Sequence, residues 1–122
     1  MTYKTELMTF AVKYGMEDKA DEWMRVLVER KAECVATLDG EMMHYECIFK
    51  SVREGRMYLS WFSVQSEGGE DVRSSPHPID KVHMDYWNEC IDREVPPQKF
   101  EHVVSFVPPS VEHAVNARDV KR

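Results

Sequence analysis

Several patterns that mark common enzyme and metal-site classes are absent from this sequence. Its three cysteines stand far apart, at positions 34, 47 and 90, without a Cys-x-x-Cys pair, so neither a disulfide framework nor a zinc ribbon is indicated. The chain contains no glycine-rich phosphate loop, no Gly-x-Ser-x-Gly elbow and no clustered pair of catalytic acids. Nucleotide hydrolysis and serine hydrolysis are therefore poorly supported.

Excess positive charge and long apolar runs are also absent. The net charge of −6 argues against nonspecific binding to nucleic acid or to an anionic membrane, because both require clustered Lys and Arg. No segment approaches the length of a membrane span, and the first ten residues lack the basic and then apolar order of a secretory signal. We expect a soluble, cytoplasmic protein with reduced thiols.

The sequence does contain enough apolar material for one packed domain, since 43% of its 122 residues are hydrophobic. Its periodicities predict strand, helix, strand, strand, helix and strand in that order. The predicted elements are a strand over 3–12, a helix from 17 to about 38, a hairpin of strands 43–52 and 57–64, a helix from 79 to about 92, and a strand over 100–107.

This order is the split βαβ arrangement of an α+β, ferredoxin-like fold, with a four-stranded antiparallel sheet and two helices on one face. We expect this domain to span residues 1–107 and to be followed by a C-terminal extension over 108–122. Both faces of the first and third predicted strands are substantially apolar, whereas a sheet face in water normally carries polar residues. We therefore expect a second copy of the chain to cover the free face, giving a homodimer.

The second predicted strand divides into two sets of side chains. His44 and Glu46 share one face, and we expect them to line the dimer interface or its rim. The other set, which we expect to face the helices, comprises Met43, Tyr45, Cys47 and Phe49. Tyr45 is a pocket candidate because its phenol reaches a ligand while its ring stays buried; the alternative is a core tyrosine bonded to backbone.

The segment from Ser75 to Cys90 concentrates the residues suited to chemistry. Helical spacing places His83, Trp87 and Cys90 on roughly one face, which would present an imidazole as general acid or base beside an aromatic wall. The alternative is that Trp87 and Cys90 are core residues and His83 is only hydrogen-bonded. His77 lies before the helix as a ligand at a cavity mouth, or else Ser75 or His77 caps the helix.

The three tryptophans are further ligand-binding candidates. Trp23 and Trp61, with Trp87, would form an aromatic lining suited to stacking a sugar or an aromatic ring, although Trp61 also fits a dimer interface. A metal site of His77, His83 and Cys90 matches no compact ligand spacing. We therefore expect no metal and no cofactor.

The opening strand, the start of the first helix at KYGMEDKADEW and the block His77-Pro78-Ile79-Asp80, with His83, Trp87 and Cys90 after it, resemble a family of small, functionally uncharacterised bacterial proteins in the dimeric α+β barrel superfamily. The resemblance covers about residues 3–107. It implies a ferredoxin-like protomer whose sheet packs against a partner's sheet, with a ligand cavity often lying between sheet and helices. It implies no reaction, since that superfamily includes cofactor-free monooxygenases, haem-degrading enzymes, sugar mutarotases and binding proteins.

Two hypotheses of function follow from these residues. We favour a homodimeric protein that binds a small molecule in a cavity between sheet and helices. The alternative is a cofactor-free enzyme, a mutarotase-like isomerase or a monooxygenase, in which His83 exchanges protons with help from Tyr45 or His77. That alternative requires His83 to line the cavity within hydrogen-bonding reach of a second polar group.

Overall fold

The computed structural model describes residues 3–69, 72 and 75–120, which form an α+β chain with a four-stranded antiparallel sheet. The α+β class and the antiparallel sheet are confirmed. The elements are β1 (Lys4–Ala11), α1 (Glu17–Glu29), α2 (Lys31–Thr37), β2 (Met43–Arg53), β3 (Arg56–Gln65), α3 (Pro78–Cys90), β4 (Gln98–Lys99) and α4 (Pro109–Val120).

The sheet has the strand order β2-β3-β1-β4, so β2 and β4 form its edges. The predicted hairpin of β2 and β3 is confirmed, and its two-residue turn has positive φ at both positions, 52° at Glu54 and 76° at Gly55. Such a turn follows the right-handed twist of the strands that it joins. In the sheet, Leu59 of β3 pairs with Phe10 of β1, and Trp61 of β3 pairs with Ile48 of β2.

The core lies between the sheet and helices α1 and α3. Its fully buried side chains include Val12 after β1, Trp23 of α1, Leu59 of β3 and Cys90 of α3. Phe10 packs against this cluster, with its ring centroid 4.6 Å from that of Trp87. The alternation of β1 and β3 thus directs Phe10, Leu59 and Trp61 to the helices.

The single helix predicted from 17 to about 38 is interrupted at Arg30. This residue leaves the helical conformation (φ −105°, ψ 32°), while its N–H still donates to the carbonyl of Val26. Its guanidinium then pairs with Glu33 in the first turn of α2, at 2.6 Å between Nε and Oε2. Apolar residues keep similar spacing on both sides of this break, so periodicity alone cannot locate it.

The strand predicted over 100–107 is wrong, because β4 contains only Gln98 and Lys99, paired with Thr9 and Met8. The N–H of Phe100 still donates to the carbonyl of Leu7 at 3.2 Å, and the following residues belong to no strand. We call residues 100–107 the apolar arm. Its alternating pattern predicts extended backbone, but a strand also needs a neighbour to pair with. The side chains of residues 100–106 are consequently exposed, Val103 at 87% and Phe106 at 90%.

The prediction that Tyr45 and Phe49 face the helices is wrong. Lys50 of β2 bonds to Asp21 of α1 at 3.0 Å, so Lys50 and Glu46, which lie four residues apart on the same strand, are on the helix side. Tyr45 and Phe49 lie on the opposite side of the sheet, which we call the open face, and are 56% and 59% exposed. The sequence placed the polar residues of β2 on the face away from the helices. However, β2 is an edge strand that the helices do not cover fully, so a polar side chain such as Glu46 is accommodated on its helix side.

Candidate functional site

A groove of about 710 Å³ lies between helices α1 and α2 and strands β2 and β3. Its apolar wall includes Met24 and Leu27 of α1, Ile48 of β2, and Leu59 and Trp61 of β3. Its titratable side chains include Glu46 on β2 and Asp80 and His83 on α3. The groove therefore combines an apolar wall with a small number of polar groups.

A second, more open hollow of about 830 Å³ runs along α3. We call it the α3 hollow; Trp87 lines it, and it shares Asp80 and His83 with the groove. His83 thus borders two recesses, and the structure brings it close to Trp87 as the helical spacing predicts, with ring centroids 6.2 Å apart.

His83 accepts a hydrogen bond from Trp23. The indole Nε1–H of Trp23 lies 3.1 Å from Nδ1 of His83. Because indole nitrogen only donates, Nδ1 must carry the lone pair, and the proton of the neutral ring is on Nε2. Burial lowers the pKa of His83 below its ordinary value, and the charge of Asp80 opposes this shift. At neutral pH the side chain is an uncharged hydrogen-bond donor through Nε2.

The three tryptophans that we predicted as ligand-binding residues meet in one aromatic cluster. The ring centroid of Trp23 lies 5.6 Å from that of Trp61 and 6.0 Å from that of Trp87. Trp23 is fully buried, so it supports the site from behind and has no surface for stacking a ligand. Trp61 is partly buried and lines the groove, so it offers the stacking surface.

Asp80 is a buried carboxylate with unmet hydrogen-bonding capacity. It occupies the first turn of α3, where the positive end of the helix dipole favours a negative charge. The residue is only 6% exposed, and its Oδ2 has no hydrogen-bond partner among the residues that the structure describes. Buried polar atoms are rarely left in this state, because an unpaired group costs about 1–3 kcal/mol.

Glu46 has a strongly raised pKa. Loss of hydration between the walls of the groove, followed by the negative charges of Glu41 and Asp80, raises its pKa to about 7. The residue is still accessible to solvent through the open side of the groove, and water moderates the effect. Glu46 is thus a carboxyl group that changes its charge near neutral pH.

The other predicted site residues do not converge on the groove. Tyr45 lies on the open face against Phe62, with ring centroids 6.0 Å apart, so it is on the opposite side of the sheet from His83. Cys90 is completely buried in the core. His77 is the N-cap residue of α3 but makes no side-chain cap; instead its backbone N–H donates to Oγ of Ser75 at 3.1 Å.

Sequence reasoning missed two of the groove's polar residues as site candidates. Asp80 ends the block at residues 77–80, and an acid in a first helical turn is most often only a dipole partner. Glu46 was assigned to the wrong side of β2. Their shared signal is an acidic residue directly beside an apolar one, Ile79 in one case and Cys47 in the other.

Two structural findings limit the classes of site. Within residues 3–69, 72 and 75–120, no three His, Cys, Asp or Glu side chains are grouped so as to hold a metal ion. In the same part of the chain, no helix has both the length and the apolar character needed to cross a membrane.

The fold and the groove together define a small α+β domain with an antiparallel sheet, helices against one face and a recess beside an edge strand. The chain belongs to a family of proteins of unknown function (DUF6176), whose family model matches residues 3–113. A comparison with curated proteins finds no significant match. The family carries no assigned activity, so function must be argued from the groove.

Proposed function

We propose that this protein binds a small molecule in the groove between α1, α2 and the sheet. The observation that carries the proposal is the combination of an apolar wall that includes Trp61 with a buried, unpartnered oxygen of Asp80. Ligand pockets typically have volumes of about 300–1,000 Å³, apolar linings and a few polar groups that orient the ligand. The groove, at about 710 Å³, falls within that range.

His83 supports a role in binding. Its Nδ1 is occupied by the bond from Trp23, which also fixes the orientation of the ring. The remaining Nε2–H is a donor, and none of the described residues accepts a hydrogen bond from it. A polar group held in one orientation by a buried neighbour is suited to positioning a ligand.

We further propose that the protomer is ferredoxin-like and that two copies pair through their open faces. From the other edge the strand order is β4-β1-β3-β2, with α1 and α3 packed on one side, as in the split βαβ arrangement. The exposed Tyr45 and Phe49 support pairing, as does the apolar arm of the same chain. Neither the open face nor the apolar arm is covered within a single chain. A second copy of the chain is therefore the favoured partner.

A cofactor-free enzyme, such as a mutarotase-like isomerase or a monooxygenase, is the second candidate, and Glu46 is the observation in its favour. The geometry does not suit His83 as a general base, because its lone pair faces Trp23. A carboxyl group with a pKa of about 7 in a groove is better matched to proton exchange at neutral pH.

The test of the binding proposal is a fragment screen by ligand-observed NMR on the wild-type protein and on Val28→Trp. Val28 lines the groove but is 74% exposed, so a larger side chain there narrows the groove without disturbing the core. The matched control is Val35→Trp, at an exposed position on α2. We expect fragments to bind to the wild-type protein and to Val35→Trp, and we expect this binding to be lost in Val28→Trp. Equal binding to all three proteins would contradict the proposal.

A further inference from the structure

We infer that the ligand of the groove is an organic cation, an ammonium group on an apolar or aromatic body, whose charged end is bound by Asp80 and Glu46. This inference rests on the proposed binding function and goes beyond it by naming the chemical class. It depends on three features of the groove: an unpaired carboxylate, an excess of acidic groups among the described lining residues, and an apolar wall.

The unpaired carboxylate is that of Asp80. Its Oδ2 is buried and lacks a partner in the described part of the chain, and the residue lines the groove. Carboxylate oxygen only accepts hydrogen bonds, so its complement must be a donor. A charged N–H donor supplies the strongest bond of this kind, because both partners are then ionised.

Among the described residues that line the groove, acidic groups outnumber basic groups. The four acids and two bases are Asp21 of α1, Lys31 of α2, Glu41 before β2, Glu46 and Lys50 of β2, and Asp80 of α3, whereas β3 contributes no charge. Lys50 is already paired with Asp21 at 3.0 Å. The raised pKa of Glu46 reflects the repulsion from Glu41 and Asp80 in addition to burial. A bound cation would relieve this repulsion.

The apolar wall decides between an organic and an inorganic cation. The same groove is lined by Leu27, Ile48 and Trp61, which offer no ligand atoms to a metal ion. No metal-binding group of three side chains occurs in the part of the chain that the structure describes. An ammonium carried on an aromatic or aliphatic body uses both the acidic and the apolar residues of the groove, and Trp61 adds a face for cation–π or stacking contact.

The experiment compares three probes of similar shape by isothermal titration calorimetry at pH 8. They are phenethylammonium, neutral 2-phenylethanol and anionic 3-phenylpropionate. We expect phenethylammonium to bind about tenfold or more tightly than the alcohol, as one charge-assisted hydrogen bond allows, and the anion to bind weakest. The preference should fall about tenfold in Asp80→Asn and be unchanged in Glu94→Gln, an exposed acid outside the groove.

The pH dependence gives a second, independent readout. Glu46 ionises near pH 7, so phenethylammonium should bind more tightly at pH 8 than at pH 6, by up to about tenfold. Glu46→Gln should remove most of this dependence. The alcohol should show little change over the same range.

The outcomes separate the two proposals. If the alcohol or the anion binds as tightly as phenethylammonium, and Val28→Trp abolishes that binding, the groove is a binding site but the inference about the cation is overturned. If none of the three probes shows saturable binding, both the cation inference and the proposed function are contradicted. Tighter binding of the ammonium probe that is lost in Asp80→Asn supports both.

Discussion

The helix-covered side of the sheet has two regions that differ in how completely they are filled. Under α1 and α3, Trp23, Val12 and Cys90 occupy the space beside β1 and β3 and leave no room for a ligand. Beside β2 the same surface continues as the groove. Two helices cover the central strands but not the edge strand, so the polar residues of β2 face a recess filled by solvent or ligand. The comparison shows how a small core leaves a site at its margin.

The first prediction contrasts the two regions through their tryptophans and has the largest expected effect. Trp23→Ala should lower the free energy of unfolding by about 3–5 kcal/mol, because it opens a cavity in the filled region and removes the donor to His83. Trp61→Ala should lower the free energy of unfolding by a smaller amount, because Trp61 is only partly buried at the groove. Urea unfolding followed by circular dichroism measures both values. Equal losses would contradict the division into filled and open regions.

The second prediction concerns the open face. Phe49→Asp should weaken the proposed homodimer by about 2 kcal/mol or more, because it places a charge on the apolar face through which the two copies are proposed to pair. Sedimentation equilibrium gives the dissociation constant. Val35→Asp provides the control, since it also replaces an exposed apolar residue but on the helix side. A wild-type protein that sediments as a monomer at all concentrations would refute the pairing of open faces.

The third prediction uses the titration of the groove. The pKa of Glu46 is raised from 4.5 to about 7 on folding, so the folded state holds its proton more tightly than the unfolded state. The stabilisation of the folded state by this tighter proton binding is fully present below pH 4.5 and is lost as the pH rises through 7. After allowance for solvent screening at this accessible residue, Glu46→Gln should raise stability by about 1 kcal/mol at pH 8 and by much less at pH 5. Thermal unfolding at both pH values tests this, with Glu94→Gln as the control.

The fourth prediction, with the smallest effect, concerns the proton on His83. Nitrogen-15 NMR of the imidazole should show protonation at Nε2 and a pKa below 6.5. Trp23→Phe removes the bond to Nδ1 and should raise that pKa, since the neutral ring loses a partner, while burial continues to lower it. A predominant Nδ1–H form in the wild-type protein would contradict the assigned hydrogen bond.

The sequence was most informative where short-range rules decide the structure. The hairpin turn that contains Glu54-Gly55 and the helix predicted from 79, which begins one residue earlier at Pro78, both follow from local preferences. The predicted meeting of Trp23, Trp61 and Trp87 is also present.

The sequence was least informative where the outcome depends on which neighbours are present. The apolar arm has a strand-like pattern but no neighbouring strand to pair with, and Arg30 ends a helix without an obvious breaker. The side of β2 that faces the helices depends on how far α1 and α2 reach, which periodicity does not encode. For that reason Glu46 was placed on the wrong face, and its closeness to Asp80 was not predicted.

The most direct test of the account is a titration of labelled protein with phenethylammonium, followed through the indole N–H signals of the three tryptophans. The account predicts a large, saturable shift of the Trp61 signal, since this ring lines the groove, together with shifts of backbone amides near Glu46 and Asp80. Shifts confined to Tyr45 and Phe49 on the open face, or no saturable shift at Trp61, would contradict it.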